Sequence, residues 1–116
     1  PDVDYTNYEE VKKAFNLKML KHTPLLNKPI KKVAFCGGSG AFLIKNAISS
    51  GSDAYISADV KYHEFFDAEA KILIADTGHF ENEHFTPEIF YDLIRKKFTT
   101  FATYLSKENT NPVNYF

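Results

Sequence analysis

The run Ile72-Leu73-Ile74-Ala75, closed at once by Asp76-Thr77-Gly78, constrains this chain more than any other stretch. It is too short for a helix and ends on a glycine, so it reads as a buried strand. Directly after it stand His79 and Glu83, four residues apart. If the chain turns helically there, both side chains share one side. An imidazole and a carboxylate at that spacing suit half of a divalent-metal site. They equally suit a strand end followed by a helix whose dipole favours an early acid. Spacing alone favours this second reading, because the pair is common by chance.

The chain around this strand alternates between the two kinds of structure. Tyr8, Val11 and Phe15 recur at helical spacing, with Glu9-Glu10 early and Lys12-Lys13 late, which predicts an amphipathic helix whose charges suit its dipole. Residues 1–4 read as polar and loose. Residues 17–22 suit a short strand, Pro24 and Pro29 bracket a connection, and His22 reads as a surface residue. Val33-Ala34-Phe35-Cys36 predicts a strand, Gly37-Gly38-Ser39-Gly40 a turn, and 41–48 a helix that Gly51 would end. Residues 53–58 read as a strand, and 59–70 as a helix with Tyr62, Phe65, Phe66 and Ala70 facing inward. Thr86-Pro87-Glu88 marks a further helix start, with Ile89, Phe90, Leu93, Ile94 and Phe98 as its buried stripe. Residues 99–105 alternate as a strand would, and the end Asn114-Tyr115-Phe116 reads as docked. The pattern is that of an α/β layered sandwich with a largely parallel sheet.

Composition bounds what such a domain does. At 116 residues, with eleven Phe and seven Tyr, one domain has ample bulk for a core. A formal net charge of -1 and only short basic runs give no face for nucleic acid. No apolar segment reaches membrane-spanning length, and no signal peptide is evident. Cys36 is the single cysteine, so no intramolecular disulfide forms, which fits a reducing, cytoplasmic setting. The chain begins Pro1-Asp2 rather than with Met, as a processed chain or a piece of a longer one would.

In a parallel sheet, the turns leaving the C-terminal strand ends share one edge, where ligands bind. Here those turns are Gly37–Gly40, Asp59–His63 and Thr77–Glu83, and they hold most of the Gly, His and acidic residues. The glycine turn could offer backbone N–H groups to an anion, but it is neither a dinucleotide fingerprint nor a Walker loop, and tight packing explains it better. Ser39 lacks the spacing of a hydrolase nucleophile elbow. Cys36 reads as a buried small hydrophobe. Asp59, His63 and Asp67 fall at four-residue steps, which would place them on one helix face. Their reading as ligand, orienting group or proton shuttle stands level with that of a capping Asp and a surface His. His84 reads as a surface residue.

Three ordered segments carry a family likeness. They are Val33-Ala34-Phe35-Cys36-Gly37-Gly38-Ser39-Gly40, Ser57-Ala58-Asp59-Val60-Lys61-Tyr62-His63, and Asp76-Thr77-Gly78-His79-Phe80-Glu81-Asn82-Glu83. Together they resemble the C-terminal half of the NIF-three-like family, also called YbgI/YqfO or GTP cyclohydrolase I type 2-like dinuclear metal-centre proteins. The resemblance implies one half of a duplicated fold, assembled as a homohexamer around a site for two divalent ions (zinc, manganese or iron). It implies His79 and Glu83 as metal ligands and His63 as an acid/base group. Ser39, Asp59 and Tyr62 become candidates for substrate contact or for orienting the ligands. Residues 1–30 would be the chain re-entering from an inserted domain, and 31–116 the motif-bearing core. The missing N-terminal half would then supply the other ligands, leaving this piece inactive by itself. The leading functional expectation is a metal-dependent hydrolase of a nucleotide or related small molecule. The alternative is a non-catalytic metal-binding, metal-delivery or regulatory scaffold protein with the same ligands.

Overall fold

The structure is a computed structural model that describes residues 6–116, so the expectation of a loose segment at 1–4 lies outside the described residues. The chain divides into two compact units, Pro1–Asn82 and Glu83–Phe116.

The first unit is built on a four-stranded sheet. Its strands are β1 (Lys21–His22), β2 (Val33–Ser39), β3 (Ala54–Ala58) and β4 (Leu73–Asp76), in the spatial order β1-β4-β3-β2. β2, β3 and β4 run parallel, and β1 pairs antiparallel with β4 at the edge. Every residue of β3 and β4 is buried, as expected of central strands covered on both faces. Side chains alternate between those faces. Tyr55 and Ile74 pack on one side with Ile44 and Ala47 of helix α2 (Ile44–Ser49) and with Val60, Ala68 and Ile72. Ala54, Ile56, Leu73 and Ala75 pack on the other with Tyr8 and Val11 of α1 (Thr6–Ala14) and with Phe15 just after it. Burying each large aliphatic side chain contributes roughly 1.5–3 kcal/mol. Thr23 closes the β1 edge, where its backbone N–H donates to Ile74 O at 3.0 Å and its Oγ1 accepts from Ile74 N–H at 2.9 Å.

Two local departures from the sequence reading matter for the site. First, β2 continues through the glycines to Ser39 instead of ending at Cys36. The step from Phe35 to Ser39 is matched on β3 only by that from Ile56 to Ala58, so β2 carries a bulge with Gly38 at φ 66°. The glycines are therefore not an open anion cradle, since Gly38 N–H donates to Asn82 Oδ1 and Gly40 N–H to Ala58 O. A short 3₁₀ turn (Ala41–Leu43) then leads into α2, which Gly51 ends at φ 73° as expected.

Second, the expected helix over 59–70 is a 3₁₀ helix restricted to Tyr62–Ala68. Asp59 lies outside it at φ 53°, and Lys61 N–H donates to Glu64 Oε2 at its start. With three residues per turn, His63 and Asp67 do not stack, so the shared face of Asp59, His63 and Asp67 does not exist. Of the residues read as facing inward, Tyr62, Phe66 and Ala70 are exposed and Phe65 is half-buried, while Ala68 enters the core.

The second unit contains α4 (Thr86–Lys97), with Pro87 in its first turn and Arg95, Lys96 and Lys97 in its last. Both features suit a helix and its dipole. Its predicted stripe is not buried: Ile89, Phe90, Leu93, Ile94 and Phe98 are all exposed. Residues 99–105 form no strand, for their backbone groups find no ladder to join. The terminal Phe116 is fully exposed rather than docked, and Asn109 and Asn111 instead accept local N–H bonds from Asn111 and Val113. Among the described residues, no helix is long and apolar enough to cross a membrane.

Candidate functional site

Parallel pairing places the ends of β2, β3 and β4 on one edge, and three side chains meet there. Ser39 is the last residue of β2, Asp59 follows β3, and His79 opens the short helix α3 (His79–Glu83) after β4. Asp59 Oδ2 lies 2.5 Å from His79 Nδ1 and also accepts the Ser39 hydroxyl. Ser39 Oγ is 3.5 Å from the same ring nitrogen. The Ser39 hydroxyl and then His79 hold the Asp59 carboxyl below the usual carboxylate range, with Lys21 adding a smaller Coulombic pull. An ionised carboxylate only accepts hydrogen bonds, so His79 carries its proton on Nδ1. The arrangement is not a nucleophilic triad, because the serine proton goes to the carboxylate rather than to the imidazole. It is a histidine oriented by a carboxylate, with about half of each side chain open to solvent.

The loops that carry these residues are braced from beneath. Asp76, at the end of β4, is buried, accepts N–H bonds from Val60 and Gly78, and pairs with Lys21 Nζ at 3.2 Å. Asn82 joins the β2 bulge to the β4 turn, accepting from Gly38 N–H at 2.8 Å and donating to Thr77 Oγ1 at 3.1 Å. Ser57 Oγ donates to the carbonyls of Cys36 and Gly38, and the Tyr55 hydroxyl to Gly40 O. Sequence reasoning missed Lys21, Asp76 and Asn82. The Asp76-Thr77-Gly78 turn was visible as a motif, but its aspartate signals a role only once its partners are known.

His63 and Tyr62 are exposed on the 3₁₀ helix, with ring centroids 5.1 Å apart, and Tyr62 also meets Phe66 edge-on at 5.4 Å. Glu83, the last residue of α3, falls in the second unit. Cys36 is half-buried against the core, with its thiol directed at Gly37 O. His22 is exposed as expected, though its ring stacks on Tyr8 at 4.2 Å. Among the described residues, no three His, Cys, Asp or Glu side chains gather to hold a metal ion. What the chain does present is one imidazole held by a carboxylate, the arrangement that orients metal-ligating histidines. The residues therefore fit a share of a metal site.

Comparison with known proteins places this geometry in a family. The model of the Duf34/NIF3 (NGG1p interacting factor 3) family matches residues 5–112. A Staphylococcus epidermidis protein named GTP cyclohydrolase 1 type 2 homolog is 33% identical over 112 residues, which is 92% of this chain and 30% of that protein. A Campylobacter jejuni protein of the same name is 37% identical over 108 residues, covering 91% of this chain and 42% of that protein. Among solved structures, Staphylococcus aureus protein SA1388 shares the fold at a TM-score of 0.78 and 22% identity, over 93% of this chain and 32% of that one. A Bacillus cereus protein related to NIF3 matches at a TM-score of 0.74 and 26% identity, over 93% of this chain and 31% of that one. The chain thus spans about a third of the length of the relatives it matches, 30% in the first case and 42% in the second. With a mixed α/β fold, a largely parallel sheet and a family match over nearly its whole length, the chain belongs to the Duf34/NIF3 family.

Proposed function

We propose that this chain supplies part of a divalent-metal site in a hydrolase that acts on a nucleotide or related small molecule. The observation that carries the reading is the Asp59–His79 hydrogen bond at the C-terminal edge of the parallel strands. With Nδ1 turned to Asp59, Nε2 is the ring nitrogen that would take a metal. Glu83, four residues on, is the second proposed ligand on spacing. Polypeptide outside residues 1–116, from the N-terminal half of the same protein, would bring the rest. A pair of zinc, manganese or iron ions there would activate water and polarise the atom under attack. His63 is the proposed acid/base group, and Ser39, Asp59 and Tyr62 would line the substrate side. The names of the relatives support a GTP cyclohydrolase-like reaction. The same proposal includes a homohexamer of the intact protein, acting in the cytoplasm.

The test is elemental analysis of the gene product that carries this chain, with and without His79→Ala, followed by incubation of the loaded protein with GTP. Metal lost in the variant and ring-opened product formed by the wild type would support the reading. Full metal content in His79→Ala would remove the ligand assignment. Tight metal binding with no turnover would replace the hydrolase with a metal-carrying protein.

A further inference from the structure

Asp59 sits in the loop after β3 and His79 at the start of α3, and nothing in either segment alone fixes the distance between them. Asp59 has φ 53° and follows β3, while His79 follows Gly78 at φ 91° after β4. Asp59 is left-handed, a conformation that a non-glycine residue keeps only where its surroundings hold it, while Gly78 adopts its positive φ without strain. The holding group is the Asp76 carboxylate, 3% exposed at the end of β4. Its Oδ2 accepts the Val60 N–H at 3.0 Å, and its Oδ1 accepts the Gly78 N–H at 2.9 Å. Val60 is the residue after Asp59, and Gly78 is the residue before His79. One buried carboxylate therefore grips the backbone beside each member of the pair. Lys21, at the register position opposite Asp76 on β1, offsets its charge at 3.2 Å while remaining exposed.

We propose that Asp76 is the positioning residue of this site: by clamping the amides of Val60 and Gly78 it sets the Asp59–His79 hydrogen bond. The inference rests on the reading of His79 as the working residue. Asparagine cannot substitute for Asp76, because an amide has one acceptor end and one donor end. In either orientation its Nδ2 would face one of the two N–H groups, and that loop would be released.

The experiment is nitrogen–proton correlation NMR of the His79 ring in the metal-free protein at fixed pH, for the wild type, Asp59→Asn and Asp76→Asn. The wild type should show the Nδ1–H tautomer, and Asp59→Asn a shift away from it. Asp76→Asn should reproduce the Asp59→Asn pattern with far-UV circular dichroism unchanged. A folded Asp76→Asn protein with the wild-type tautomer overturns the proposal. If Asp76→Asn does not fold, amide exchange in the wild type decides. Protected amides at Val60 and Gly78 support the clamp, and unprotected amides beside a single His79 tautomer overturn it. The readout needs no metal, so metal retained by His79→Ala would defeat the ligand reading and leave the clamp standing.

Discussion

Asp59 and His79 are twenty residues apart in sequence, yet the aspartate Oδ2 and the histidine Nδ1 lie 2.5 Å from each other. A carboxylate so placed holds the imidazole in one tautomer and orients its opposite nitrogen, and losing such a partner typically weakens a metal site. Asp59→Asn should therefore weaken zinc or manganese binding at His79 by about 10–100-fold. Calorimetric titration of the gene product carrying this chain measures it. Unchanged affinity would mean that the carboxylate does not orient a ligand.

Gly40 is a packing requirement of the site. A Cβ there would overlap Ser57 Oγ and lie 2.6 Å from the Tyr55 hydroxyl and 2.9 Å from Cys36 Cβ. Tyr55 and Ser57 are both buried, with the Tyr55 hydroxyl bonded to Gly40 O and the Ser57 hydroxyl to the β2 backbone, so they have little room to move. Gly40→Ala should cost about 1–3 kcal/mol of stability, as overpacking does. Urea denaturation reads this as a lower midpoint with an unchanged slope.

Asn82 makes a long-range tie in the unit, reaching 44 residues back in sequence to Gly38. Asn82→Ala would leave the buried Gly38 N–H without its acceptor and Thr77 Oγ1 without its donor. The expected loss is about 1–3 kcal/mol, the cost of an unsatisfied buried group. Amide exchange at Gly38 should rise more than exchange at Ile74 in the strand core.

Tyr8 should make the fold sensitive to alkali. Burial pushes its phenol up to about 12 from an ordinary 10.0, against a smaller opposing pull from the Thr23 side chain. A folded-state value raised above the unfolded one gives stability that is complete below pH 10 and lost as pH rises through 12. Between those values the wild-type urea midpoint should fall more steeply than that of Tyr8→Phe. Parallel curves would show that Tyr8 ionises alike in the folded and unfolded states.

The places where sequence reasoning failed share a physical cause. Residues 59–70 have a helical apolar pattern, but Asp59 is drawn out of the helix with its neighbour Val60 bonded to Asp76, sixteen residues on. The α4 stripe has a sound helical period, yet period reports only which side chains share a face and not what covers it. Residues 99–105 have strand composition without a ladder partner, and strand preference expresses itself only on a sheet.

What the sequence determined by itself was local. Residues 53–58 and 72–75 read as strands from the sequence, and the parallel pairing of β2, β3 and β4 puts the turns at Ser39, Asp59 and His79 on one edge. Tertiary structure alone decided which of those side chains meet. That choice depends on the β2 bulge, where the step from Phe35 to Ser39 matches the shorter one from Ile56 to Ala58, and on the Asp76 and Asn82 bonds. The bonds from Asp76 to Val60 and from Asn82 to Gly38 join residues 16 and 44 positions apart, a pairing that exists only after the sheet has set the register.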